Sequence, residues 1–464
     1  MKTNITLSLA VLMLLGGCSM APELEVKNPE LPKNMHTSSS KIDQQWWQGF
    51  NDPTLNRVID DALEQSDDLK LAMANVSLAR ATLGLANAER YPDITAAADA
   101  YRQRTSAESL SPFSGVTYNN FGLSSTIGYE FDFWGKFANA EKGAWSRLLA
   151  SEADKETARI SLVSGVAELY IQQIALKQKM TLLEEMVKAY KESYEYRKRE
   201  FRHGQINELV VGQSHALYAN AQVTLASLKK AAALNENALA LTIGYVPKQL
   251  VEGQINVPLQ LPNVQKVPAG IGSELLQRRP DILAAEEHLR AANADIGVVK
   301  ANYFPSISLT GTAGLQSIEL DKLLTSSAKT WGVGPALNLP LLDFGRVKSS
   351  VQSAEAEKEI AMITYTKTVK RAFTEVYDAL AQIKHSQVQI AAQKREVKAL
   401  KQVLDLSEKQ FKSGYGIYLD LLTAKRELLN ARMAMIDLNA ELIAHQIVLF
   451  KALGGGWKRT QHQS

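Results

Sequence analysis

Between Phe121 and Phe133 apolar and polar positions alternate strictly. Odd positions read Phe121, Leu123, Ser125, Ile127, Tyr129, Phe131 and Phe133, while even positions read Gly122, Ser124, Thr126, Gly128, Glu130 and Asp132. A period of two places successive side chains on opposite faces. The segment therefore predicts a strand with one apolar, aromatic face and one small or polar face. Two later segments repeat the pattern. Ile307, Leu309, Ala313 and Leu315 alternate with Ser306, Ser308, Thr310, Thr312 and Gln316; Trp331, Val333, Leu337, Leu339 and Leu341 alternate with Thr330, Gly332, Gly334 and Asn338. Residues 93–105 read as a weaker fourth strand.

The period changes between these strands. From Pro53 to Arg90 the apolar residues Leu55, Val58, Ile59, Ala62 and Leu63 are spaced by three and four, as on one helix face. Between Lys136 and His203 the same spacing runs through Val166, Leu169, Gln173, Leu176, Met180, Leu183, Val187, Tyr190, Tyr194, Arg197 and Phe201. Val376, Ala379, Ile383, Ser386, Ile390, Gln393, Val397, Leu400, Leu404, Ser407 and Phe411 follow it in the same phase. A heptad held that long predicts a coiled-coil seam. At 1.5 Å per residue each such helix would run roughly 100 Å. Each ends at a glycine-bearing turn, Arg202-His203-Gly204-Gln205 or Lys412-Ser413-Gly414-Tyr415-Gly416, after which a second helix returns.

The two sets of elements are copies. Tyr91-Pro92 returns as Phe304-Pro305, Trp134-Gly135-Lys136 as Phe344-Gly345-Arg346, Phe201 and Gly204 as Phe411 and Gly414, and Ile243-Gly244 as Leu453-Gly454. An offset near 210 residues held along the chain identifies one unit duplicated in tandem. The organisation expected is a first repeat over 46–250, a proline-bearing linker over 251–272, a second repeat over 273–457 and a polar tail over 458–464.

The N-terminus changes the picture further. Lys2 precedes an apolar run from Ile5 to Leu15, and the run ends in Leu15-Gly16-Gly17-Cys18. This reads as a signal peptide over 1–17, and Leu-Gly-Gly-Cys resembles a bacterial lipobox. Cys18 is the only cysteine in the chain, so it has no disulfide partner, and acylation explains its position. Residues 18–45 are polar and contain prolines, as in a lipidated tether. Among 464 residues a formal net charge of +3 with interspersed signs is too small to imply a nucleic-acid partner, and none is expected.

Strands of about ten residues with opposed apolar and polar faces match a transmembrane β-barrel wall. Four strands cannot close a barrel, since about eight is the minimum, and lipid tolerates no open sheet edge. Several copies must share the barrel. A soluble sandwich is the plain alternative, but it has no need of two such long helical hairpins.

Several motifs carry a family resemblance. They are Trp46-Trp47-Gln48-Gly49-Phe50, Tyr129-Glu130-Phe131-Asp132-Phe133-Trp134-Gly135-Lys136, Arg279-Pro280-Asp281-Ile282, Ala301-Asn302-Tyr303-Phe304-Pro305 and Leu339-Pro340-Leu341-Leu342-Asp343-Phe344-Gly345-Arg346. In combination they resemble the outer-membrane efflux factors of the TolC superfamily, in the lipoprotein branch serving resistance-nodulation-division pumps. The resemblance implies a mainly α membrane protein with long coiled-coil hairpins forming a periplasmic helical barrel. It also implies a homotrimer whose subunits each add four strands to a twelve-stranded barrel in the outer membrane. The expected role is the exit duct of a tripartite efflux system, fed by a periplasmic adaptor and an inner-membrane pump. Protein secretion, metal efflux and a structural envelope lipoprotein are the alternatives.

No enzymatic constellation stands out and no cofactor is expected. Asp343-Phe344-Gly345 lacks the loops that accompany a kinase triplet and reads as a turn, and the seven histidines show no metal-ligand spacing. The functional candidates cluster at the hairpin turns. His203, Gly204, Gln205, Gly414, Tyr415 and Gly416 are the expected adaptor contacts. Leu419, Asp420 and Arg426 are the expected gate, with Leu419 as an apolar constriction and Asp420 as a ring of carboxylates under three-fold symmetry. In the resembling family an acidic residue often stands where this chain has Thr423, which leaves Asp420 as the acidic candidate. Arg426 falls on the apolar seam between Leu422 and Leu429.

Overall fold

The computed structural model describes residues 19–26, 43–108, 114–246, 255–265 and 279–457. The signal peptide, Cys18, most of the tether and linker, and the tail from 458 onward lie outside the described residues. Two compact units emerge. One draws on Asn75–Glu152 and Ala284–Thr366 with the described residues 19–26, and the other on the described residues of Pro29–Ala74, Ala153–Leu283 and Lys367–Ser464.

Helices α1 (Pro53–Gln65) and α2 (Asp67–Ala88) open the folded chain, followed by strands β1 (Asp93–Arg104) and β2 (Thr117–Glu130). A long helix α3 (Lys136–Arg202) and its return α4 (Glu208–Ile243) complete the first set. The second set is α5 (Pro280–Ala301), β3 (Ser306–Ser317), β4 (Lys329–Asn338), α6 (Arg346–Lys412) and α7 (Tyr418–Ala452). Both long helices count 67 residues, and α2 and α5 count 22 each. The single helix expected over 53–90 is broken at Ser66, whose extended backbone caps α1.

The strand unit is one antiparallel sheet in the order β1-β2-β3-β4. Its register sets Asp99 against Gly122 and Gly122 against Gln316, so the polar faces of all the strands coincide. Gly122 leaves room for a polar ladder, because a Cβ there would stand 2.3 Å from Asp99 Oδ1. Asn120 donates to Asp99 at 2.9 Å and accepts from Gln316 at 2.7 Å. The strands are shorter than the alternation predicts: β2 ends at Glu130 and β4 at Asn338, which leaves Phe131, Phe133, Leu339 and Leu341 beyond the sheet. In both places a carboxylate then gathers the amides that lead into the following helix. The Asp132 carboxylate accepts from the amides of Phe137 and Ala138, and the Asp343 carboxylate from those of Gly345 and Val347. These amide bonds hold the exposed Asp343 carboxyl below its ordinary range. Asp343 thus builds the turn in which its sequence motif sits.

The helical unit is organised around Trp46, Trp47 and Phe50, which pack with Leu55, Val58 and Ile59 of α1. Val166, Tyr170 and Ile174 of α3, Leu239 and Ile243 of α4, and Ile443, Ile447 and Phe450 of α7 complete this core. Trp46 stacks on Phe450 with centroids 5.0 Å apart. Asp52 joins capping to packing: Oδ1 accepts from the amides of Thr54 and Leu55, and Oδ2 from the Tyr170 hydroxyl. Burial, reinforced by Asp52, raises the Tyr170 phenol above its ordinary value. Arg279, 7% exposed, pairs with Asp281 and Glu375 and donates to the Ala452 carbonyl at 2.9 Å. Helix α7 is long and apolar enough to cross a bilayer, but its apolar residues Leu442, Ile443, Ile447 and Leu449 lie buried in the protein.

Candidate functional site

The hairpin turns repeat one local geometry. Gly204 has φ +70° and Gly414 φ +79°, the left-handed region that ends a helix without a Cβ clash. Gln205 N donates to Glu200 O, and Tyr415 N donates to Gln410 O at the equivalent place, each at 3.0 Å. The returning helices start differently. Asn207 caps α4 by accepting from the Val210 amide, whereas Ile417 offers α7 no side-chain cap. Asp420 lies in the first turn of α7, where a carboxylate complements the helix dipole.

The second turn exposes apolar side chains in succession: Tyr415 is 92% exposed, Ile417 61% and Leu419 48%, and Leu209 beside the first turn is 66% exposed. His203, Gly204, Gln205 and Gly414 are exposed with them, and Gly416 is half-buried. Ile417 and Leu209 escaped the sequence reading because single apolar residues beside a turn carry no periodic signal.

The seam of α6 follows the heptad closely. Val376, Ala379, Ile383, Ser386 and Ile390 are buried, and the remaining seam positions to Phe411 are half-buried. On α7 Leu422 and Leu429 are buried, but Arg426 between them is exposed and pairs with Glu427 at 3.2 Å. Arg426 keeps its seam position in the helix while its side chain turns outward. A guanidinium there would lose its hydration without a facing carboxylate, so the side chain turns to solvent. Asp420 is also exposed, and Leu419 stands outside the small cluster formed by Tyr418, Leu421 and Leu422.

The charge that is sequestered near the turns is Arg197, on α3. Its guanidinium carbon lies 4.4 Å from the Tyr418 ring centroid, 4.8 Å from Phe411 and 5.2 Å from Tyr196. Glu200 accepts a hydrogen bond from the same guanidinium. One turn away the Ser193 and Tyr418 hydroxyls are 2.7 Å apart. Burial pushes the nearby Tyr190 phenol up to about 12, opposed by the charge of Arg426. Arg197 therefore joins the first-repeat hairpin to the second through aromatic faces.

In the strand unit, the residues following Cys18 are held in place. Ser19 Oγ donates to Asn139 Oδ1 at 3.0 Å, and Asn293 Nδ2 donates to the Pro22 carbonyl at 2.9 Å. Both partners belong to helices, Asn139 in the first turn of α3 and Asn293 in α5. Among the described residues no group of three or more His, Cys, Asp or Glu side chains could hold a metal ion.

Comparison with known proteins agrees with this geometry. The profile of the family described as "Outer membrane efflux protein" matches residues 58–245 and again 271–455. The chain is 34% identical over 470 residues to the antibiotic efflux pump outer membrane protein ArpC of Pseudomonas putida, covering 98% of this chain and 96% of ArpC. It is 30% identical over 475 residues to a Salmonella typhimurium protein named "Probable outer membrane lipoprotein SilC", covering 97% and 98%. Among solved structures, the Campylobacter jejuni CmeC outer membrane channel superposes with a TM-score of 0.91 at 27% identity, covering 96% of each chain.

Proposed function

This chain belongs to the outer membrane efflux protein family and is the outer-membrane channel of an efflux system; from that premise we propose how it is assembled, anchored and gated. The functional unit is a homotrimer. The observation that carries this reading is the sheet itself, with four strands, opposed apolar and polar faces, and β1 and β4 as its two edges. Lipid cannot satisfy the backbone groups of an open edge, so three copies contribute 3 × 4 = 12 strands to one closed wall. The polar face then lines the passage. Residues 46–250 and 273–457 act as two equivalent repeats in each subunit.

The duct is passive. It catalyses nothing and holds no cofactor, and it conducts drugs and other small molecules, of the kind the name of ArpC specifies. A periplasmic adaptor and an energised inner-membrane pump of the resistance-nodulation-division class supply them. The adaptor docks on the turns at His203, Gly204, Gln205, Gly414, Tyr415 and Gly416, where the exposed Tyr415 and its neighbour Ile417 offer an apolar contact. Leu419, Asp420 and Arg426 form the gate.

Cys18 carries the lipid anchor. The hydrogen bond of Ser19 to Asn139 holds the chain just after it against the first turn of α3, which begins six residues past the end of β2, and that of Asn293 holds Pro22 against α5. That position suits acyl chains entering the periplasmic leaflet, and the name of SilC supports a lipoprotein.

Drug accumulation in a strain lacking this gene, with candidate pumps deleted in turn, tests the assignment. Loss of the duct should raise intracellular drug only where its pump is intact. An unchanged level in every background would refute it.

A further inference from the structure

The charged residues of the four strands are sorted by face. Asp93, Asp99 and Glu130 all lie on the polar face. The basic residues are Arg102 and Arg104 in β1 and Lys329 in β4, and all three lie on the apolar face. The register fixes this: Arg102 opposes Asn119, Arg104 opposes Thr117 and Lys329 opposes Leu315, in line with Phe121 and Leu123.

They also share one end. Strand β1 runs from Asp93 away from the helices, and its last rungs carry Arg102 and Arg104, while β4 begins with Lys329 as the chain returns. This is the end of the sheet opposite the helix connections, the external end of a barrel wall. Trp331, 82% exposed, follows Lys329 on the same face, as aromatic residues do at a membrane interface. All three cations are exposed, and none of their side chains has a hydrogen bond or ion pair among the described residues. The loop cation Lys322, by contrast, is paired with Glu319.

A lipid-facing cation is costly at the midplane and cheap at the interface. With no counter-charge among the described residues of their own chain, the three cations are open to an anion at the membrane surface. We propose that Arg102, Arg104 and Lys329 bind the phosphate groups of phosphorylated glycolipid in the outer leaflet, making a basic collar around the external rim. This rests on the outer-membrane assignment and on the trimeric reading. Barrel closure sets β4 of one copy beside β1 of the next, so Lys329 joins Arg102 and Arg104 and the collar holds 3 × 3 = 9 cations. The collar would fix the depth of the barrel and tie its rim to the leaflet it crosses.

The test uses the full-length protein in detergent micelles doped with bis-phosphorylated lipid A, with bound lipid counted by native mass spectrometry. Wild type should retain lipid A. The Arg102→Gln/Arg104→Gln/Lys329→Gln variant should retain at least about ten-fold less, because each basic residue adds to attraction by an anionic membrane surface. Lys322→Gln should match wild type, and dephosphorylated lipid A should bind wild type no better than the triple variant binds the phosphorylated form. Equal retention by wild type and triple variant, or of both lipids by wild type, overturns the proposal. Single-channel conductance measured alongside separates this result from the duct assignment. Should the triple variant lose its channel, Arg104→Gln alone decides: retention at the wild-type level refutes the collar, and a clear fall supports it.

Discussion

Arg197 reaches across from α3 to lie over the ring of Tyr418 on α7, with its guanidinium carbon 4.4 Å from the ring centroid. The contact joins the first-repeat hairpin to the second close to the turns, so any parting of the hairpins must break it. Arg197→Ala should raise the open probability of the channel in planar bilayers by about two- to thirty-fold, the equivalent of the ~0.5–2 kcal/mol of a partly desolvated cation–π contact. Arg197→Lys should fall in between. Wild-type gating in the alanine variant would show that the contact is only structural.

Asp420 and Arg426 are both exposed on the first turns of α7. Arg426 pairs with Glu427 at 3.2 Å. Replacing both Asp420 and Arg426 by Ala should raise conductance and admit larger antibiotics such as vancomycin, with trimer formation unaffected. Unchanged conductance and cation selectivity would move the gate elsewhere.

Metabolic labelling with a palmitate analogue should mark the wild-type protein and leave Cys18→Ser unlabelled. Equal labelling of both would refute acylation at this residue. Insertion of the barrel should survive the substitution, since the strands carry the transmembrane face.

In detergent, native mass spectrometry should give a mass near three times that of the mature chain. A monomer that still forms pores would refute the shared wall.

Arg279 is held by two carboxylates and a backbone carbonyl at the start of α5. Arg279→Ala would leave Asp281 and Glu375 without their cation and the Ala452 carbonyl without its donor. The expected loss is about 3 kcal/mol, at the low end for a broken buried pair because both carboxylates keep partial solvent contact. Thermal unfolding followed by helical circular dichroism should show it as a lower midpoint, with conductance at low temperature unchanged.

Much of this architecture is legible in periodicity. The heptads of α3 and α6 mark the buried or half-buried face of each helix, except at Phe201, which is exposed beside the first turn, and the alternation in β2 gives the correct face to every residue. Strand ends are not legible, because Phe131 and Phe133 continue the alternation while the Asp132 carboxylate already gathers the amides of the next helix. Two arginines show the limit at the candidate site. Arg197 and Arg426 both occupy heptad seam positions, yet one is buried among aromatic rings and the other is solvated. The difference lies in the facing residues: Tyr418 and Phe411 stand more than 200 positions from Arg197 in sequence. No local pattern reports such a partner.

The matching 67-residue lengths of α3 and α6 constrain how such a chain can change its reach. Removing one heptad from α3 alone would draw its turn back by roughly 10 Å at 1.5 Å per residue. It would also slide Arg197 past Tyr418, leaving one leg of the subunit shorter than the other. A variant fitted to a narrower or wider periplasm must therefore gain or lose whole heptads in both repeats together. Single insertions in either helix should be rarer among natural relatives than paired ones.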